Sequence, residues 1–166
     1  MIERLTPAHA EELRDIRLEA LRLHPTAFSA DPEVEGAFTL EHWRERIEHR
    51  CMFGGRVDGR LAGINAFSLD TYSKKTAHVA TLGAMYVREA ARGTGLAGAL
   101  MTHWLDHAAR SGAEMAVLDV EATNRRAIAL YERHGFKILG RKPRSMKVDG
   151  IFYDELEMWR EITSPA

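Results

Sequence analysis

The stretch Val87-Arg88-Glu89-Ala90-Ala91-Arg92-Gly93-Thr94-Gly95-Leu96-Ala97-Gly98 passes from an apolar, β-branched run into a helical one, and the fold turns on how it is read. Upstream, Thr76 to Val87 predicts a strand. Downstream, Leu96, Leu100, Trp104 and Ala108 recur four apart, which predicts an amphipathic helix over Ala97 to Ala109 that Gly112 closes. Glycines between the two allow successive backbone N–H groups to approach an anion. The first helical turn adds unpaired N–H groups and the positive end of the macrodipole, so phosphate is a favoured guest there. Arg92 supplies a charged donor at the mouth. The plain alternative is a strand-to-helix turn that merely needs small residues.

A dinucleotide site is a third reading, because Gly93-x-Gly95-x-x-Gly98 matches G-x-G-x-x-G, with Asp119 or Glu121 suitably far downstream. Its context disagrees. A Rossmann turn enters its first glycine almost directly from the strand, whereas Arg88 to Arg92 intervene here. That fold also needs parallel strands on both sides, and this chain supplies two hairpins. A P-loop is excluded because no Gly-Lys-Ser or Gly-Lys-Thr occurs.

Outward from the turn, Met115 to Val120 reads as a short strand, Asn124 to His134 as a helix ending at Gly135, and Phe136 to Met146 with Ile151 to Trp159 as strands around Asp149-Gly150. Toward the N-terminus, Met52 to Val57 and Leu61 to Leu69 flank the hairpin signal Asp58-Gly59. Ile2 to Leu5 is a short strand, after which Thr6-Pro7 opens a helix that Pro25 stops. His24 to Phe38 reads as a loop, and Thr39 caps a second helix carrying Leu40, Trp43 and Ile47. The order is strand, two helices, three strands, helix, strand, helix, two strands: a mixed α/β sheet rather than a βαβ alternation.

Val87 through Ala97 resembles the acetyl-CoA signature of the GCN5-related N-acetyltransferase (GNAT) family, here Arg92-x-x-Gly95-x-Ala97. Further on, Val120-Glu121-Ala122-Thr123-Asn124-Arg125-Arg126-Ala127-Ile128-Ala129-Leu130-Tyr131-Glu132-Arg133-His134-Gly135-Phe136 is similar to the family's second motif. The likeness covers roughly Leu61 to Trp159. It implies one α/β domain over residues 1–166, with a GNAT-like mixed, mostly antiparallel sheet, a central splayed parallel strand pair and about four flanking helices.

Function follows from the same resemblance, which implies an N-acetyltransferase moving an acetyl or short acyl group from acetyl-CoA directly to a primary amine of a small molecule or protein. Cofactor contacts are then expected from Met85, Tyr86 and Val87 to the pantetheine arm, from Arg92, Gly93, Thr94, Gly95, Leu96 and Ala97 to the pyrophosphate, and from Asn124, Ala127 and Tyr131. Asn124 and Tyr131 are seven residues apart, nearly two turns, so both address one ligand. A backbone amide near Met85 or Val87 would polarise the thioester carbonyl. Gly83 is the candidate for a bulge in that strand. Amine attack expels a thiolate, and Tyr131 is the expected general acid, against the alternative of a tyrosine packed on the sheet with its hydroxyl bonded elsewhere. Asn124 is expected to position rather than react, or simply to cap its helix.

An amine with a pKa near that of lysine, about 10.4, must lose a proton before it attacks. His78, at the start of the strand leading to Met85, is the leading base, with Glu121 as alternative. His103 and His107 are i and i+4, but Trp104 stands where a zinc protease needs Glu, so no metal is expected. Cys51 has no partner base nearby in sequence, which favours direct transfer over an acyl-enzyme. Substrate choice is assigned to His24 to Phe38, Asp70 to Thr76 and Lys142 to Gly150, with Phe28, Trp43 and Tyr72 as candidate apolar wall.

Composition sets outer bounds. The 166 residues, 45% apolar and 28% charged, suit one globular domain, and 23 Lys plus Arg against 24 Asp plus Glu leave no electrostatic footprint for nucleic acid or membrane. Cys51 alone precludes an internal disulfide. The start lacks a long apolar run, and a cytoplasmic setting is expected. A homodimer is an expectation of the resemblance and of the prevalence of two-fold assemblies. Alternatives in other classes are a non-catalytic acyl-CoA sensor and a dinucleotide-dependent oxidoreductase.

Overall fold

Periodicity and punctuation become structure with few exceptions in the computed structural model, which describes residues 1–163; the last three positions of the domain expected over 1–166 lie outside them. In chain order the elements are β1 (Ile2–Arg4), α1 (Ala10–Leu23), α2 (Pro32–Gly36), α3 (Leu40–His49), β2 (Cys51–Val57), β3 (Arg60–Leu69), β4 (Val79–Val87), α4 (Leu96–Arg110), β5 (Met115–Glu121), α5 (Arg125–Arg133), β6 (Lys137–Val148) and β7 (Ile151–Glu161). Short 3-10 turns at Pro7–His9 and Glu89–Ala91 precede α1 and α4. Both hairpin signals hold: Asp58 and Gly59, and Asp149 and Gly150, take the positive φ that a tight two-residue turn requires.

Two expectations need correction. The stretch His24 to Phe38 is not all loop, because Asp31 accepts from the N–H groups of Glu33 and Val34 and so caps α2, with Pro32 as its first residue. Pro32 therefore starts a helix instead of breaking one, which makes five α-helices among the described residues. Thr76 to His78 are not strand: the N–H of Thr76 bonds to Ser73 O and that of Val79 to Thr76 O, which makes a turn before β4.

The sheet runs β1-β2-β3-β4-β5-β7-β6, and every neighbouring pair is antiparallel except β4 and β5. That parallel pair is short, joining only Val79, Ala80 and Thr81 to Met115, Ala116 and Val117. Beyond it β4 continues to Val87 and β5 to Glu121 without pairing to each other. This is the mixed, mostly antiparallel sheet with a splayed parallel pair at its centre.

Alternation along β2 and β3 sends side chains to both faces. Met52, Leu61 and Ile64 join α1 and α3 in one buried cluster, while Phe53, Ala62 and Phe67 join α4 and α5 in another. Leu100, Met101 and Trp104 of α4 are fully buried, each contributing about 1.5 to 3 kcal/mol. Asn65 donates to Leu100 O at 3.1 Å and Trp104 Nε1 to Ala66 O at 3.0 Å, which fixes α4 along β3. Gly55 and Gly63 face each other across β2 and β3. A Cβ would stand 2.4 Å from Leu96 Cδ1 at the first and 2.8 Å from Leu100 Cδ1 at the second. This notch seats the start of α4 close against the sheet. No helix of the described residues is long and apolar enough to cross a membrane.

Candidate active site

The site begins where the chain leaves β4. Gly93 and Gly95 have φ of 81° and 86°, a backbone that other residues adopt only at a cost. The first helical bond of α4 runs from the N–H of Ala99 to Gly95 O, so the N–H groups of Leu96, Ala97 and Gly98 have no acceptor within the helix. Thr94 is placed differently: its hydroxyl donates to Ala91 O at 2.7 Å, bracing the turn, and it does not line the cleft described below.

Arg92 donates through Nε to Val87 O at 3.2 Å, and its Nη2 lies 3.1 Å from His24 Nε2. A guanidinium only donates, so His24 Nε2 is the acceptor and the imidazole is neutral. Burial, then Arg92 and Arg126, hold the His24 pKa below its ordinary value.

From Leu82 to Val87, β4 has β3 on one side and, among the described residues, nothing paired on the other. An interior strand of the sheet thus presents unpaired backbone groups to the gap. The ladder with β3 is irregular between Ile64 and Ala66, opposite Tyr86 and Gly83, and the left-handed residue is Ala84, φ 51°, one position beyond the suspected Gly83. Tyr86 is buried and its hydroxyl donates to Glu19 at 2.9 Å; burial and this carboxylate push its pKa up to about 12.

Helix α5 forms the facing wall. Asn124 Oδ1 accepts from Ala127 N–H at 3.2 Å, so Asn124 is a helix cap that also borders the cleft. Tyr131 is 6% exposed, and burial raises its phenol well above the usual range, so it stays protonated. Among the described residues its hydroxyl makes no hydrogen bond, and the side chain lines the cleft.

These elements enclose an open cleft of about 460 Å³. It brings together Met85, Tyr86, Val87, Arg92, Gly93, Gly95, Leu96, Ala97, Asn124, Ala127 and Tyr131. His78 is not among them. It is exposed in the turn before β4, and the six steps from Val79 to Met85 span roughly 20 Å of strand. Having a histidine at the start of the right strand puts it at the wrong end. Glu121 is buried at the end of β5, where Thr123 N–H and hydroxyl occupy its carboxylate at 3.0 and 2.8 Å. Of the proposed apolar wall only Phe28 reaches the cleft; Trp43 is wholly buried and Tyr72 is 99% exposed.

Sequence reading did not single out the four basic lining residues His24, Arg126, Arg133 and His134. The last three were legible, since they share with Ala127, Leu130 and Tyr131 a stripe at helical spacing on α5. His24 was not, because a loop after α1 brings it in from far along the chain.

Away from the cleft, Cys51 Sγ lies 3.6 Å from His107 Nε2, a partner 56 residues distant in sequence. Burial raises this thiol's pKa, and burial likewise lowers that of His107, so neither group is charged by the other. Phe53 packs edge-on to both His103 and His107. Among the described residues no group of three or more His, Cys, Asp or Glu is placed to hold a metal ion.

The profile of the Acetyltransferase (GNAT) family matches residues 11–136. Mycothiol acetyltransferase of Thermomonospora curvata is 34% identical over 124 residues, 70% of this chain and 39% of that protein. That of Beutenbergia cavernae is 36% identical over 121 residues, again 70% of this chain and 39% of the relative. The chain thus spans about two-fifths of the length of these curated relatives. Among solved structures, an acetyltransferase of the GNAT family from Streptococcus pneumoniae superposes with a TM-score of 0.86 at 24% identity, over 98% of this chain and 99% of that one. A putative acetyltransferase from Salmonella typhimurium, solved with its cofactor acetyl-CoA, gives 0.80 at 21% identity, over 100% of this chain and 95% of that one.

Proposed function

Because this chain belongs to the GNAT acetyltransferase family, we propose that it is an N-acetyltransferase that moves an acetyl group from acetyl-CoA directly to a primary amine. One observation carries the reading: Tyr131, buried and with its hydroxyl unpartnered among the described residues, shares a cleft with the free N–H groups of the α4 turn and the unpaired edge of β4. The residues fit the cofactor. A pyrophosphate suits the N–H groups of Leu96, Ala97 and Gly98 with Arg92 beside them, and an amide-bearing pantetheine chain suits the open edge from Leu82 to Val87.

Bound acetyl-CoA would supply an activated acyl carbon and a thiolate leaving group. The chain supplies the rest. Backbone N–H groups on the free edge of β4 near the Ala84 irregularity are donors for the carbonyl oxygen as it gains charge. Tyr131, held neutral by burial, gives its proton to the departing sulfur, and the proton that the nitrogen sheds as it becomes an amide restores the phenol through solvent in the open cleft. Asn124 keeps the first turn of α5, and with it Tyr131, in register. Phe28 and Ala27, from the segment between α1 and α2, close the side next to Tyr86.

The decisive experiment is an amine-library screen with acetyl-CoA, read as free thiol released. Thiol release that depends on one class of amine supports the assignment. Tight CoA binding without release for any amine would leave a sensor, and NAD(H) binding without CoA binding would point to the oxidoreductase.

A further inference from the structure

The cleft holds three arginines, Arg92, Arg126 and Arg133, and two imidazoles, His24 and His134, and among the described residues no carboxylate lines it. Neither Arg126 nor Arg133 forms an ion pair among the described residues. They are seven residues apart on α5, about 10 Å along its axis, so they extend from opposite ends of the helix. Arg126 stands on the His24 side, near enough to act on that imidazole together with Arg92. Arg133 stands at the opposite end of the helix.

That end is prepared for an anion. The His134 ring abuts the first turn of α4, since a Cβ built on Gly98 would lie 3.9 Å from His134 Cε1. His134 Nδ1 is 2.8 Å from Leu130 O; a carbonyl only accepts, so Nδ1 carries the hydrogen, and Nε2 can donate to an anion when the ring is protonated. Carbonyls at a helix C-terminus ordinarily repel anions, but here they are engaged: Leu130 O by His134, Tyr131 O by the N–H of Phe136, and His134 O by Arg160.

Resting on the acetyl-CoA reading above, we infer that Arg133, with His134 beside it, recognises the ribose 3′-phosphate of CoA, while Arg126 joins Arg92 on the pyrophosphate. The phosphomonoester carries about −1.5 to −2 charge at neutral pH, a match for cations that the pyrophosphate does not use. Donor choice is therefore set at this end of α5: an acyl group on CoA is accepted, and one on a thiol carrier lacking the 3′-phosphate is disfavoured.

Calorimetry with CoA and with 3′-dephospho-CoA, on the full chain and its R133Q and R126Q variants, tests this. Both arginines are exposed, so the variants should fold, and circular dichroism verifies it. The wild-type protein is expected to prefer CoA by roughly tenfold or more, the scale of a charge-assisted contact. R133Q should lose that preference with dephospho-CoA affinity unchanged, while R126Q weakens both ligands alike. Equal binding of the two ligands by the wild type, an equal loss of both in R133Q, or loss of the preference in R126Q instead would overturn the assignment. If the wild type binds neither ligand, it is the acetyl-CoA reading itself that fails.

Discussion

Tyr131 and His24 illustrate how burial sets the chemistry of single groups. Tyr131 has no charged neighbour acting on it, only the loss of water, and so remains a proton donor across neutral pH. Replacing it by Phe keeps the packing against Phe136 and removes only the hydroxyl. Steady-state kinetics should show kcat reduced by roughly 10²-fold or more, with acetyl-CoA affinity by calorimetry within about twofold of wild type. An unchanged kcat would remove Tyr131 from the role of acid. His24 works in the other direction, because its folded pKa lies below the unfolded value near 6.5. As pH falls the unfolded chain takes up this proton first, so the stabilisation is full above about 6.5 and is lost as pH drops through the folded value. Urea denaturation between pH 5 and 8 should therefore find His24→Gln less sensitive to acid than wild type; parallel curves would contradict this. Tyr131 was legible in sequence because its spacing from Asn124 lies within one helix. His24 and the Cys51–His107 contact were not, since each pairs residues from elements far apart in the chain.

At the scale of elements, local signals fixed most boundaries. Asp58-Gly59, Asp149-Gly150, the Thr39 cap and the apolar stripe of α4 all act through nearest neighbours, and the strands and helices they bound lie where the periodicity puts them. Besides the turn at Thr76 to His78, the exception is α2, which depends on a tertiary contact. Glu35 in α2 accepts from Arg17 of α1 at 3.0 and 3.2 Å and from Arg46 of α3 at 3.0 Å, and its side chain is only 7% exposed. Burial alone would raise the Glu35 pKa, but the two guanidiniums outweigh it and hold the carboxyl below its ordinary value. A five-residue helix could not persist alone, and this ion-pair bridge ties it to both neighbours. It thereby anchors the segment carrying Ala27 and Phe28 to the cleft. Glu35→Gln leaves two largely buried cations without a counter-charge. We expect a loss of roughly 3 to 5 kcal/mol in chemical denaturation, far more than a surface pair would give. A loss below about 1 kcal/mol would mean that the bridge does not hold α2.

For the molecule as a whole, the decisive feature is a sheet that fails to close at its centre. Composition and element order implied a mixed sheet, yet nothing in β4 or β5 alone announces that they pair over three residues and then part; that came only with the family resemblance. Physically the gap is an unsatisfied edge, and a ligand that fills it completes the ladder between the β1–β4 and β5–β7 parts of the sheet. Amides on the free edge between Leu82 and Val87, and those of Leu96 to Gly98, should exchange rapidly with solvent in the free protein. Acetyl-CoA should slow both sets, leaving Phe53 and Leu118 amides, already within paired strands, little changed. The same linkage predicts thermal stabilisation. A ligand at about 100 times its Kd adds about 2.7 kcal/mol, and at about 2 to 4 °C per kcal/mol for a chain of this size Tm should rise by roughly 5 to 10 °C. Pantetheine, lacking phosphates, should protect the β4 edge but not the α4 turn. Protection by acetyl-CoA confined to the α4 turn, with β4 still exchanging freely, would show that the cofactor's phosphates bind while its reactive arm lies outside the splay, and the acyl-transfer geometry would have to be abandoned.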